Sequence, residues 1–132
     1  MKKRKCKRFT IPGTILYYKK KRIFFSDKRY SEDCFPVLDL SKGGASFLNN
    51  ERLKPGIDLM VRIIFPEPMG FDNSPLKIFA TTRWTSKNNE ESYRFQTGIS
   101  FYSYGNKKTQ NSPELLRFFN KLECRYITNL CK

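Results

Sequence analysis

The chain has 132 residues, of which 39% are hydrophobic, and it carries a formal net charge of +14 at pH 7. This length suits one domain with its own core, and 12 phenylalanines and seven tyrosines argue against disorder, because burial of these side chains offsets the entropy lost on folding. The charge favours an anionic partner, whereas the absence of histidine removes the commonest general base and disfavours acyl-transfer enzymes.

The N-terminal segment is strongly basic. Residues 1–22 contain ten Lys or Arg and no acidic residue, clustered at Lys2–Arg8 and Lys19–Arg22. Such clusters are ordinarily a solvated tail and a charged turn. On the basis of the motifs described below, we predict a ligand-binding arm at residues 1–12 and one domain at residues 13–132.

The first half of this domain is rich in β-branched and aromatic residues. Gly13–Lys19 and Arg22–Phe25 predict a hairpin or one long bent strand with a basic tip. Phe35–Leu40, the glycine-containing turn Ser41–Gly44 and the following Ala45–Leu48 predict a strand, a turn and a second strand.

The second half predicts three further strands and a helix. Asp58–Phe65 follows a Pro-Gly turn signal and is the clearest strand in the sequence. Leu76–Thr85 and Tyr93–Tyr102 predict a hairpin with a polar tip. Ser112 and Pro113 suit the first positions of a helix that extends to about residue 126.

One face of this helix is apolar. The residues that share it are Leu115, Phe119, Leu122 and Tyr126. An amphipathic helix buries such a face, so we expect the helix to cover the sheet. The sequence therefore predicts a mainly β fold, a small antiparallel Greek-key barrel with one C-terminal helix.

Metal, cofactor and catalytic sites are not predicted. The four cysteines (Cys6, Cys34, Cys124 and Cys131) include no CxxC pair, and no histidine could complete a mixed metal site. The carboxylates Glu90 and Glu91 lie in a polar strand connection, and no phosphate-loop or dinucleotide fingerprint is present. The basic N-terminus lacks a signal-peptide apolar stretch, and no apolar run could span a bilayer. We expect a cytoplasmic binding protein with no membrane span and no enzymatic activity.

Two short motifs stand out. Arg4 and Arg8 form RxxxR in the arm, and Asp39, Ser41 and Gly44 form DxSxxG at the predicted turn. Their order and spacing, the GISF segment near the end of the sheet and the final helix resemble the PilZ family over nearly the whole chain. That resemblance implies a bacterial second-messenger receptor for cyclic di-GMP.

The chemistry of the motifs suits this ligand, which presents two phosphodiester anions and two guanine bases. Arg4 and Arg8 can each give paired hydrogen bonds to phosphate oxygens or to guanine O6 and N7, and can stack on a purine. Asp39 can accept hydrogen bonds from guanine N1–H and N2–H, which distinguishes guanine from adenine.

The remaining candidate residues have structural alternatives. Ser41 could donate to phosphate or base, or form a local turn bond, while Gly44 permits a tight turn and Gly43 shares that task. Trp84 could stack on a purine or lie in the core. Lys3 could add charge for a phosphate.

We hypothesise that the arm is mobile when free and folds across the turn at Asp39–Gly44 when ligand arrives, signalling to an unidentified downstream protein. The main alternative is a small basic barrel that binds RNA or single-stranded DNA through aromatic side chains. A PilZ-like adaptor that binds only proteins is the third possibility, and the intact motifs disfavour it.

Overall fold

The computed structural model describes residues 7–20, 34–66, 76–89 and 92–130. These residues form six strands and one helix, in chain order β1 (Ile15–Lys20), β2 (Phe35–Ser41), β3 (Gly44–Asn49), β4 (Asp58–Ile64), β5 (Leu76–Lys87), β6 (Phe95–Phe101) and α1 (Pro113–Leu130). Each strand matches a predicted one with small shifts at its ends, and α1 continues beyond the predicted end near residue 126. The predicted strand at Arg22–Phe25 lies outside the described residues.

The six strands close into an antiparallel barrel in the order β1-β2-β3-β6-β5-β4. Hairpin connections pair β2 with β3, β4 with β5 and β5 with β6. β1 also pairs with β2, and the non-sequential pairings of β3 with β6 and of β1 with β4 complete the ring. The predicted fold class is confirmed.

Alternating side chains explain why these segments form a barrel. In β4, Leu59, Val61 and Ile63 are buried, whereas Asp58 and Arg62 between and beside them are exposed. A strand with this alternation places one face in a core and the other in solvent. Leu16 and Phe47 from other strands are also fully buried, so the barrel interior is a packed apolar core.

Helix α1 packs on this core. Its first turn is capped by Ser112, whose carbonyl and hydroxyl oxygens both accept from the Leu115 N–H, at 3.1 and 3.4 Å. Phe119 and Leu122 are buried as predicted, and Phe118 is buried as well, 5.5 Å between ring centroids from Phe65. The side chain of Tyr126 lies outside the described part of the chain. No helix within the described ranges has the length and apolar character needed to cross a membrane.

The described end of the basic arm is joined to the barrel. Phe9 and Leu40 exchange two backbone hydrogen bonds, of 2.9 and 2.8 Å, in an antiparallel bridge. Phe9 and Ile11 are buried in the same core cluster as the strands. Phe9 and Ile11 therefore pack with the barrel, while Arg8 lies at its surface.

Candidate functional site

An ion pair joins the two sequence motifs. Arg8 Nη1 donates a hydrogen bond of 2.8 Å to Asp39 Oδ1, across 31 residues of sequence. The antiparallel bridge between Phe9 and Leu40 brings Arg8 to this position, because Arg8 directly precedes Phe9. The two side chains retain 26% and 28% of their exposure, so both remain accessible from solvent.

The hydroxyl of Ser41 shapes the β2–β3 turn. Ser41 is buried, and its Oγ accepts hydrogen bonds from the backbone N–H groups of Gly43 and Gly44, at 3.1 and 3.2 Å. This is the local turn bond that the sequence left open as an alternative. A direct contact of Ser41 with a ligand stays a prediction.

Gly44 lies where two strands approach closely. It pairs with Ser100 on β6, and a Cβ at this position would overlap the carbonyl oxygen of Ile99. The backbone of Gly44 has an ordinary negative φ, so the requirement for glycine is steric and comes from β6. The neighbouring Gly43 is exposed, and its carbonyl accepts from the Phe101 N–H at 2.9 Å.

A row of residues crosses the outside of the barrel from β2 to β5. Asp39 pairs with Ser46, Ser46 with Gly98, and Gly98 with Trp84. Directly paired residues of antiparallel strands place their side chains on the same face. We call these four residues the outer row, which begins at the Arg8–Asp39 pair.

Trp84 lies at the far end of the outer row. It is 38% exposed, and a Cβ added to Gly98 would overlap its indole ring, so the ring lies directly over this glycine. Trp84 is therefore a surface residue and not part of the core. Its predicted stacking on a purine remains untested.

Ser46 is the residue that sequence reasoning missed. Its side chain is fully buried, and its hydroxyl has no hydrogen-bond partner among the described residues. Nothing in the sequence distinguishes Ser46 from an ordinary polar residue on the outer face of a strand. Its position was visible only once the strand pairing was known.

Two of the predicted site residues, Arg4 and Lys3, lie outside the described residues.

Two tyrosines have raised pKa values. Burial is the main cause for Tyr18, and a hydrogen bond to Glu51 adds to it, so the pKa of Tyr18 lies well above its usual value. Burial and a hydrogen bond to Asp58 raise the pKa of Tyr102 to about 12. Neither tyrosine belongs to the outer row. Within the described ranges, no three His, Cys, Asp or Glu side chains form a group that could hold a metal ion.

The sequence model of the PilZ domain matches residues 2–112, and the chain therefore belongs to the PilZ domain family. Comparison with curated protein sequences gives no match.

Solved structures share the fold. The PilZ domain of YcgR from Escherichia coli, with c-di-GMP, is 16% identical and superposes with a TM-score of 0.62 over 98% of this chain and 95% of that one. The inhibitor of motility from Bacillus subtilis is 12% identical, with a TM-score of 0.60 over 95% of this chain and 53% of that one. A YcgR complex with c-di-GMP is 18% identical, with a TM-score of 0.61 over 98% and 50%. The chain thus spans about half the length of the latter two proteins.

Proposed function

We propose that the chain is a receptor for cyclic di-GMP, which binds between the N-terminal arm and the outer row. The observation that carries this proposal is the Arg8–Asp39 ion pair, because it unites the two motifs at one accessible place. The choice of ligand is supported by membership of the PilZ family and by two solved structures of one relative, YcgR, with c-di-GMP.

The ion pair is compatible with ligand binding. A guanidinium has five N–H donors, so Arg8 can keep its bond to Asp39 and still donate to a phosphate or to guanine O6 and N7. The carboxylate of Asp39 likewise retains acceptor sites for guanine N1–H and N2–H. The pair holds both groups in position before the ligand arrives, which lowers the ordering cost of binding.

The other motif residues have complementary roles in this proposal. Arg4 supplies the second guanidinium and Lys3 further positive charge, while Trp84 stacks on a base. Ser41 and Gly44 fix the turn so that the backbone approaches the ligand closely. Because Phe9 is held in the core and Arg8 is bonded to Asp39, we place the proposed ordering of the arm in the residues before Arg8. This ordering would create the surface for an unidentified downstream protein.

Calorimetric titration with cyclic di-GMP, cyclic di-AMP and GTP tests the proposal. We expect saturable binding of cyclic di-GMP alone, weakened roughly 10- to 100-fold by Arg8→Ala or Asp39→Ala, since a hydrogen bond to a charged group contributes about 1.5–3 kcal/mol. Arg117→Ala is the matched control, because it removes the same charge from an exposed position on α1. Unchanged affinity in both motif variants would refute the proposal. Binding of random single-stranded RNA that cyclic di-GMP does not displace would favour the nucleic-acid alternative.

A further inference from the structure

A buried hydroxyl lies in the middle of the outer row. The neighbours of Ser46 in β3, Ala45 and Phe47, belong to the core, so the Ser46 side chain points to the outside of the barrel. It is nevertheless fully buried, and its Oγ has no partner among the described residues. Buried polar groups are nearly always hydrogen-bonded, and one that is not calls for an explanation.

An aromatic ring covers Gly98, the neighbour of Ser46 in the outer row. Ser46 is flanked by Asp39 on one side and by Gly98 on the other, and the indole of Trp84 lies over Gly98. Trp84 is 38% exposed and lies outside the core cluster, so core packing does not hold its ring in place. The indole is a planar bicyclic ring, as a purine is, so a purine can take the same place over Gly98.

We propose that Ser46 is a ligand-binding residue in a purine subsite whose floor is Gly98 and whose movable cover is Trp84. The inference rests on the proposed function and assigns one guanine of cyclic di-GMP to this place. Asp39 accepts from guanine N1–H and N2–H, and the Ser46 hydroxyl, directly across the strand pair, donates to the adjacent O6. The displaced indole stacks on the outer face of the base.

Ser46→Ala separates this role from a structural one. Removing the hydroxyl should weaken cyclic di-GMP binding about tenfold, measured by calorimetry on the full chain. The thermal stability of the free protein should stay the same or rise, because the variant removes a buried hydroxyl without a protein partner. Ser86→Ala is the matched control, since it removes an exposed serine hydroxyl two residues from Trp84 and should change neither quantity.

The cover can be tested through its own fluorescence, because Trp84 is the sole tryptophan. Cyclic di-GMP should shift the emission of the wild-type protein as the indole leaves Gly98. Gly98→Ala should shift the emission of the free protein, since the added Cβ overlaps the indole, and should also weaken binding at least tenfold by filling the subsite.

The outcomes distinguish the subsite from the proposed function. If Arg8→Ala weakens binding but Ser46→Ala binds within twofold of wild type, the subsite is refuted and the receptor proposal survives. Unchanged tryptophan emission at saturating ligand would refute the movable cover. Failure of the wild-type protein to bind cyclic di-GMP would overturn both.

Discussion

The inner and outer faces of the barrel belong to the same strands, but they differ in how regularly their side chains alternate. Inside, side chains such as Phe47 and Ile99 alternate regularly and are buried against one another. On the outside, both ends of the outer row follow an irregularity, one between Val37 and Asp39 and the other between Thr82 and Trp84. Buried residues alternate strictly in β1 and β4, whereas β2 and β5 interrupt the alternation, and the candidate site depends on those interruptions.

Each interruption changes the face on which a candidate ligand-binding residue lies. Regular alternation from Phe35 and Val37 would turn Asp39 into the core, but the shift pairs Asp39 with Ser46 on the outside. β-Bulges commonly re-aim side chains next to binding sites in this way. The barrel thus gains an outward carboxylate while Leu40 still packs inside.

The largest expected effect is a loss of stability on substitution in the barrel core. Phe119→Ala should lower the free energy of unfolding by about 3–5 kcal/mol, because Phe119 is fully buried and its removal leaves a cavity. Urea denaturation measures this loss. The fraction that remains folded should bind cyclic di-GMP with wild-type affinity, and weakened binding without destabilisation would contradict the separation of the two faces.

An intermediate effect is expected at Gly44, where β3 lies close to β6. Gly44→Ala should lower stability by about 1–3 kcal/mol, since the new Cβ overlaps the Ile99 carbonyl and β3 must move away from β6. Thermal denaturation of the free variant measures the effect. If stability is unchanged and only ligand affinity falls, Gly44 acts through the ligand and not through the sheet.

Most of the fold could be predicted from the sequence, because its signals are local. Alternating apolar residues predicted β4, and Ser112 followed by Pro113 predicted the start of α1. These features depend on neighbouring residues or on a recognisable pattern. The hypothesis that the arm folds across the turn on ligand binding brought Arg8 near Asp39 only in the bound state, and the ion pair between the two side chains was not predicted.

The arrangement of the outer row could not be predicted, because it depends on strand register. Ile78, Ala80 and Thr82 are buried, and uninterrupted alternation would bury Trp84 with them. The shift after Thr82 instead places the indole outside, over Gly98. The burial of Ser46 follows from the same non-local pairings, which a single sequence does not specify.

The smallest expected effect concerns the ion pair itself. In a double-mutant cycle on unfolding, Arg8→Ala and Asp39→Ala should couple by less than about 1 kcal/mol, because both side chains remain partly exposed and water screens such pairs. The two variants are measured singly and together by urea denaturation.

This small coupling matters because the same two substitutions should greatly weaken ligand binding. Residues of a ligand-binding site should contribute little to folding stability and much to binding affinity. Phe119 should instead contribute much to stability and little to affinity. A coupling of several kcal/mol would instead make Arg8 and Asp39 a structural clamp between the arm and β2. In that case the loss of binding in either single variant would follow from displacement of the arm, and the direct contacts proposed for both side chains would have to be abandoned.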